Sequence, residues 1–324
     1  MRRSIPGGLI LVAALLGGAC RSSTEPEPPP YTHPSGEFVS FANLAGRPHG
    51  VATDTAGSFL ISRIDDNRVT RGSVTETSVT FDGDAIVGEA PAHVAVIRQG
   101  TRAYTTNQFG NSVSVVNTST QQTIATVPLS GGGFNVLVRP AGDRVYATTA
   151  GGQLHVIDAQ TNASITQISV GVAANGLAYH AGSNTLYVAS RDADQITAVN
   201  AANNTVTRTY AVGEMPQRIA VSLDNTELYV ATEVVGLEVL DLATGSRTAV
   251  PGVSDLAVGL ALSPDGVQIY VTHPPRGLVT IVDRAGRTVV RTLANMGSPR
   301  NVAFDFLGAT AIITDESNRV IFVR

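Results

Sequence analysis

One phrase returns along almost the whole chain at a near-constant interval. It reads FLIS, AYTT, VYAT, LYVA, LYVA, IYVT and IIT, anchored on Leu60, Tyr104, Tyr146, Tyr187, Tyr229, Tyr270 and Ile312, with spacings of 44, 42, 41, 42, 41 and 42 residues. A fixed period of this length marks a repeat architecture, in which each unit buries its apolar faces against its neighbours.

Each period follows one grammar. A first apolar stretch, such as RIAVS (218–222) or GLALS (259–263), leads into a turn like PDG (264–266) and then the anchor phrase. A third segment alternates apolar and polar residues, as in NSVSVVN or GLVTIVD, and a fourth closes the unit, as in ASITQISV or RTVVRTLA. Period-two alternation, β-branched residues and Gly, Asn and Asp turns specify strands. Four antiparallel strands per unit of about 40 residues describe a propeller blade. The expected fold is therefore all-β, a seven-bladed β-propeller of four-stranded antiparallel blades over residues 37–324. Those 288 residues divide into seven units of about 41.

The last unit stops after its third strand, SNRVIFVR (317–324). The segment from Phe38 to Leu44 precedes the first complete unit and has no blade of its own. It is expected to supply the missing fourth strand, which closes the ring and removes an exposed sheet edge.

Composition narrows the function classes. All 22 basic residues are Arg, so the lysine of a Schiff base or a Walker-type phosphate loop is absent. The net charge of −4 comes without a basic cluster, which excludes a nucleic-acid footprint. No GxSxG, HExxH, CxxCH or strand-borne GxGxxG motif occurs, and no cofactor is called for.

The N-terminus gives an address. Arg2 and Arg3 precede the apolar run LILVAALL (9–16), small residues and then Cys20, the chain's single cysteine. This resembles a bacterial lipoprotein signal (1–19), although Gly17 stands where that family places Leu. The resemblance implies lipidation at Cys20 and anchoring in the cell envelope, periplasmic or surface-facing. An ordinary secretory signal is the alternative. Residues 20–36, rich in Pro, Ser and acid, read as a tether. Removing the signal takes the net charge from −4 to −6, so attraction to anionic lipid is not expected.

The phrases YTTNQFGNSVSVVN (104–117) and YVTHPPRGLVTIVD (270–283) resemble the YVTN-type β-propeller repeat, with YVASRDADQITAVN (187–200) a looser copy. The first unit departs towards NHL-type spacing. The resemblance implies an extracytoplasmic propeller whose relatives include lactonase-like enzymes and propeller domains of redox enzymes.

Candidate site residues lie where the inner strands begin: RPHGVA, APAHVA, GFNVLV, ANGLA, PQRIA, AVGLA and PRNVA. His49, His93, Asn135, Asn175, Arg218, Arg300 and Asn301 are expected to share one mouth of the central channel, suited to a small anion or a metal. No carboxylate belongs to this set, which argues against a calcium-dependent lactonase. The recurring Asn117, Asp158, Asn200, Asp241 and Asp283 read as turn caps. Asp82, Asp84 and Glu89 of FDGDAIVGE (81–89) read as a solvated loop. The expected function is a binding or scaffold module for an envelope protein or small ligand. The alternative is a lactonase-like or other hydrolytic enzyme using the polar mouth.

Overall fold

The computed structural model describes residues 31–37, 39–75, 78–97 and 99–324. Cys20 and the signal segment lie outside the described residues, as does Phe38. The chain forms seven four-stranded sheets, and pairing is antiparallel throughout. Blade 1 is built from Pro48–Thr53, Ser58–Arg63, Arg68–Val74 and Val79–Ile86. The inner strands of blades 2 to 7 are Pro91–Val96, Gly133–Val138, Ala174–His180, Pro216–Val221, Gly259–Leu262 and Pro299–Phe304. They touch in that order, and the inner strand of blade 7 meets that of blade 1. Among the described residues the only helical turns are Arg191–Ala193 and Pro274–Arg276. None is long and apolar enough to cross a membrane.

The core sits between blades, because each sheet must bury both faces. Tyr104, Tyr146, Tyr229 and Tyr270 of the anchor phrase are fully buried, and each packs into a cluster shared with a neighbouring blade. Tyr270 meets Phe304 of blade 7 edge to face at 5.1 Å.

The ring closes as expected. Val39–Asn43 pairs antiparallel with Arg319–Val323, with Phe41 opposite Ile321. Val39 packs towards the cluster shared with blade 6, and Ala42 towards the cluster shared with blade 1. Phe41 stays half exposed under the Arg319 guanidinium, 4.8 Å from its ring centroid. Phe59 of blade 1 and Phe322 of blade 7 complete the closing interface at 5.8 Å.

The chain just before the clasp is docked too. Thr32 donates its N–H to the Leu307 carbonyl at 2.9 Å, His33 Nδ1 lies 2.5 Å from Asp265, and Tyr31 packs edge to face on Phe306. Thr32 runs directly over Gly308, where any Cβ would collide with the Thr32 carbonyl. These contacts are with loops that follow the inner strands, on the face opposite the mouth.

One sequence reading is corrected. FDGDAIVGE is not a loop: residues up to Ile86 form the outer strand of blade 1. Asp84 lies opposite Thr70 and accepts hydrogen bonds from its hydroxyl (2.7 Å) and from Arg63 (2.9 Å). Alternation along that strand was masked by its polar residues. The five turn caps behave as expected, with Asn117, Asp158, Asn200, Asp241 and Asp283 each accepting a backbone N–H two or three residues on.

Candidate functional site: the channel mouth

Every inner strand pairs with its anchor strand at one equivalent residue: Val51, Val94, Val136, Leu177, Ile219, Leu260 and Val302. Counting back from it sorts the candidates into two rings. The deeper ring is Gly50, His93, Asn135, Gly176, Arg218, Gly259 and Asn301. The outer ring is His49, Ala92, Phe134, Asn175, Gln217, Val258 and Arg300. The single mouth expected from the sequence is thus two layers one residue apart. In six blades the ladder register shifts at this point, so neighbouring residues there depart from strict strand alternation.

The outer ring surrounds a cavity of about 360 Å³ with all seven blades represented. Arg218 belongs to that cavity and also to a second one of about 290 Å³ further down the channel, with His93, Asn135 and Asn301. The glycines of the deeper ring leave room for their neighbours. A Cβ at Gly50 would lie 2.7 Å from His93 Cα, and one at Gly176 would lie 2.6 Å from the Gln217 carbonyl oxygen.

The anchor strand holds these rings in place through the residue two positions after each anchor. Thr314 Oγ1 donates to the His49 carbonyl at 2.6 Å, Thr272 to that of Arg300 at 2.8 Å and Thr148 to that of Asn175 at 3.2 Å. The same hydroxyls accept the N–H of Asn301 (3.0 Å), Gly259 (2.9 Å) and Asn135 (3.1 Å). Each hydroxyl therefore satisfies two backbone groups that the strand ladder leaves open, one in its own blade and one in the next.

Side-chain bonds run around the rings. Arg218 donates from Nε to Asn301 Oδ1 at 3.0 Å and from a terminal nitrogen to Asn175 Oδ1 at 3.4 Å. Asn175 donates to Gln217 Oε1 at 2.6 Å, and Gln217 in turn donates to Glu233. Arg191 holds Glu233 through both carboxylate oxygens, at 2.9 and 3.3 Å. Asn301 donates to the His49 carbonyl at 2.8 Å, and His49 Nδ1 meets Glu316 at 2.7 Å.

Carboxylates do reach the mouth, then, which the sequence reading denied. Glu233 and Glu316 arrive from turns at the ends of anchor strands, not from the inner strands. Both stand four residues after their anchors, Tyr229 and Ile312, as do the mouth-lining Gln108 and Arg191 after Tyr104 and Tyr187. That shared offset was a periodic signal available in the sequence.

The electrostatics follow from burial. Desolvation pushes His49 down to about 4, against the upward pull of its bond to Glu316. His49 is therefore neutral at neutral pH and donates to an ionised Glu316. Burial pushes Glu316 up, but the His49 bond and the Arg300 charge outweigh it and hold the group below its ordinary value. His93 is driven well below its ordinary value by burial and by Arg218, and its buried Nδ1 has no hydrogen-bond partner. Burial, then the charge of Arg300, lowers Arg218 to about 9, still protonated at neutral pH. No group of three or more metal-ligating His, Cys, Asp or Glu occurs among the described residues.

No protein-family model and no curated protein matches the sequence. The fold is similar to a solved chain of Kuenenia stuttgartiensis hydrazine synthase, with a TM-score of 0.76 and 17% identity, over 87% of this chain and 96% of that one. That likeness shows the fold alone.

Proposed function

We propose that the chain is an extracytoplasmic, membrane-tethered propeller of the YVTN repeat type that receives its ligand at the polar mouth. The observation that carries this reading is the asymmetry of the two faces. One face gathers polar side chains from successive blades around a concave cavity, and a concave pocket with convergent polar groups is the default place for a ligand. The opposite face takes Tyr31, Thr32 and His33, the last residues of the segment that leads back towards Cys20. A lipid anchor at Cys20 then enters from the far side and leaves the mouth free.

The mouth is tested by thermal-shift screening of the purified chain against anions, cations and neutral polyols. Gln108 lines the mouth, and Gln108→Trp places an indole over it. Ligands of the mouth should stabilise the wild type and lose their effect in this variant. Shifts that survive it, or no shift with any class, would count against the reading. The anchor is tested by metabolic labelling with palmitate, which should mark the wild type and spare Cys20→Ala. Metal-dependent turnover of lactones or esters that disappears in His93→Ala and Asn301→Ala would replace binding with catalysis.

A further inference from the structure

Two guanidinium groups converge on the mouth without a carboxylate of their own. Elsewhere in the ring arginines find carboxylates: Arg63 pairs with Asp84, Arg191 with Glu233 and Arg319 with Asp315. Arg218, deep in the throat, bonds only the amide oxygens of Asn301 and Asn175, which leaves most of its five N–H donors unused. The Arg300 guanidinium, one ring further out, has no hydrogen bond or ion pair to any described residue. Both line the same cavity of about 360 Å³.

The two carboxylates that line this cavity, Asp192 and Glu233, are already engaged. Arg191 donates to both, and Glu233 also accepts from Gln217; Glu316, outside the lining, is bonded to His49. A partly desolvated cation without a hydrogen-bonded counter-ion is costly: desolvation depresses both arginines, Arg300 further depresses Arg218, and the charges of Glu316 and Glu233 offset only part of the penalty at Arg300. An anion between them would remove both penalties at once, and guanidinium groups bind oxyanions in a planar, bidentate geometry.

Resting on the mouth as the ligand face, the geometry points to a more specific assignment: the throat is a binding site for a small oxyanion, a carboxylate or phosphate, held between Arg218 and Arg300. Asn175 and Asn301 orient Arg218, and His49 adds to the wall on the side of the neighbouring blade. The cavity admits a compact anion and not a polymer.

Calorimetric titration of the intact chain with inorganic phosphate and with succinate, at constant ionic strength set with chloride, tests the site. Saturable one-to-one binding of at least one of the two is expected, and whichever binds distinguishes a phosphate from a carboxylate site. Arg218→Gln and Arg300→Gln should each weaken it at least tenfold, while Arg300→Lys keeps part of it. Should Arg218→Gln fail to fold, the part-buried Arg300→Gln and an oxyanion-dependent rise in the wild-type melting temperature carry the same test. Binding untouched by the Gln variants, or the absence of binding by both oxyanions, would overturn the assignment. In the second case, cations or polyols that still bind in a Gln108-sensitive manner would leave the mouth as the ligand face. If nothing binds there, both readings fall.

Discussion

At the residue scale, the position two residues after each anchor is the most consequential. Thr314 satisfies the Asn301 N–H and the His49 carbonyl together, across the blade 7 to blade 1 boundary. Thr314→Val keeps the shape, orphans the Asn301 N–H and leaves the His49 carbonyl to the Asn301 side chain alone, so it should lower unfolding free energy by about 1–3 kcal/mol, while Thr314→Ser should recover most of the loss. Urea melts of the two variants measure this; equal stability would show that the hydroxyl does not stitch the blades. His49 sets a pH dependence. Its folded value of about 4 lies below the free value of 6.5, so between these pH values the unfolded chain binds a proton that the folded chain does not. Stability therefore falls as pH falls from 6.5 to 4, by up to about 3 kcal/mol. His93 acts in the same direction. The urea midpoint followed across this range should fall less steeply in His49→Gln, which can still donate to Glu316. An unchanged slope would remove His49 from the account.

At the element scale, the clasp is a single five-residue strand, Val39–Asn43, that carries the fourth position of blade 7. Without it Arg319–Val323 becomes an open edge, and Val39 and Ala42 leave the clusters on either side. Deleting residues 21–46 should lower the melting temperature by roughly 10 °C or more, whereas deleting 21–30, ahead of the docked Tyr31 to His33, should cost little. Two deletions of equal effect would mean that the strand contributes no more than the tether. The seven strands that begin at the mouth were legible from their alternation and from the phrase that follows each. The outer strand of blade 1 was not, because Asp82 and Asp84 occupy positions where other blades carry apolar or neutral residues.

At the scale of the whole molecule, cooperativity follows from where the core lies. No blade has a core of its own, since the apolar clusters straddle blade boundaries all the way round. The chain has no Trp, and four of its eight Tyr are fully buried in blades 2, 3, 5 and 6. Tyrosine fluorescence and far-UV circular dichroism should therefore report one coincident transition in urea. A tyrosine transition that precedes the loss of sheet signal would show blades opening independently.

The period, the strand count, the seven blades and the strand that shuts them are all legible in the order of residues. These follow from local alternation and from the arithmetic of repeats, which need no knowledge of neighbours in space. That order also named the seven polar residues at the starts of the inner strands. Their arrangement comes from the packed ring. Bulges split them into two rings and left Arg218 between two cavities. The turns after the anchor strands brought Glu233 and Glu316 into the mouth. Those facts depend on which groups from distant blades meet and on how burial shifts their charges: the spacing of four residues after each anchor marks where the two carboxylates stand, but not what they meet.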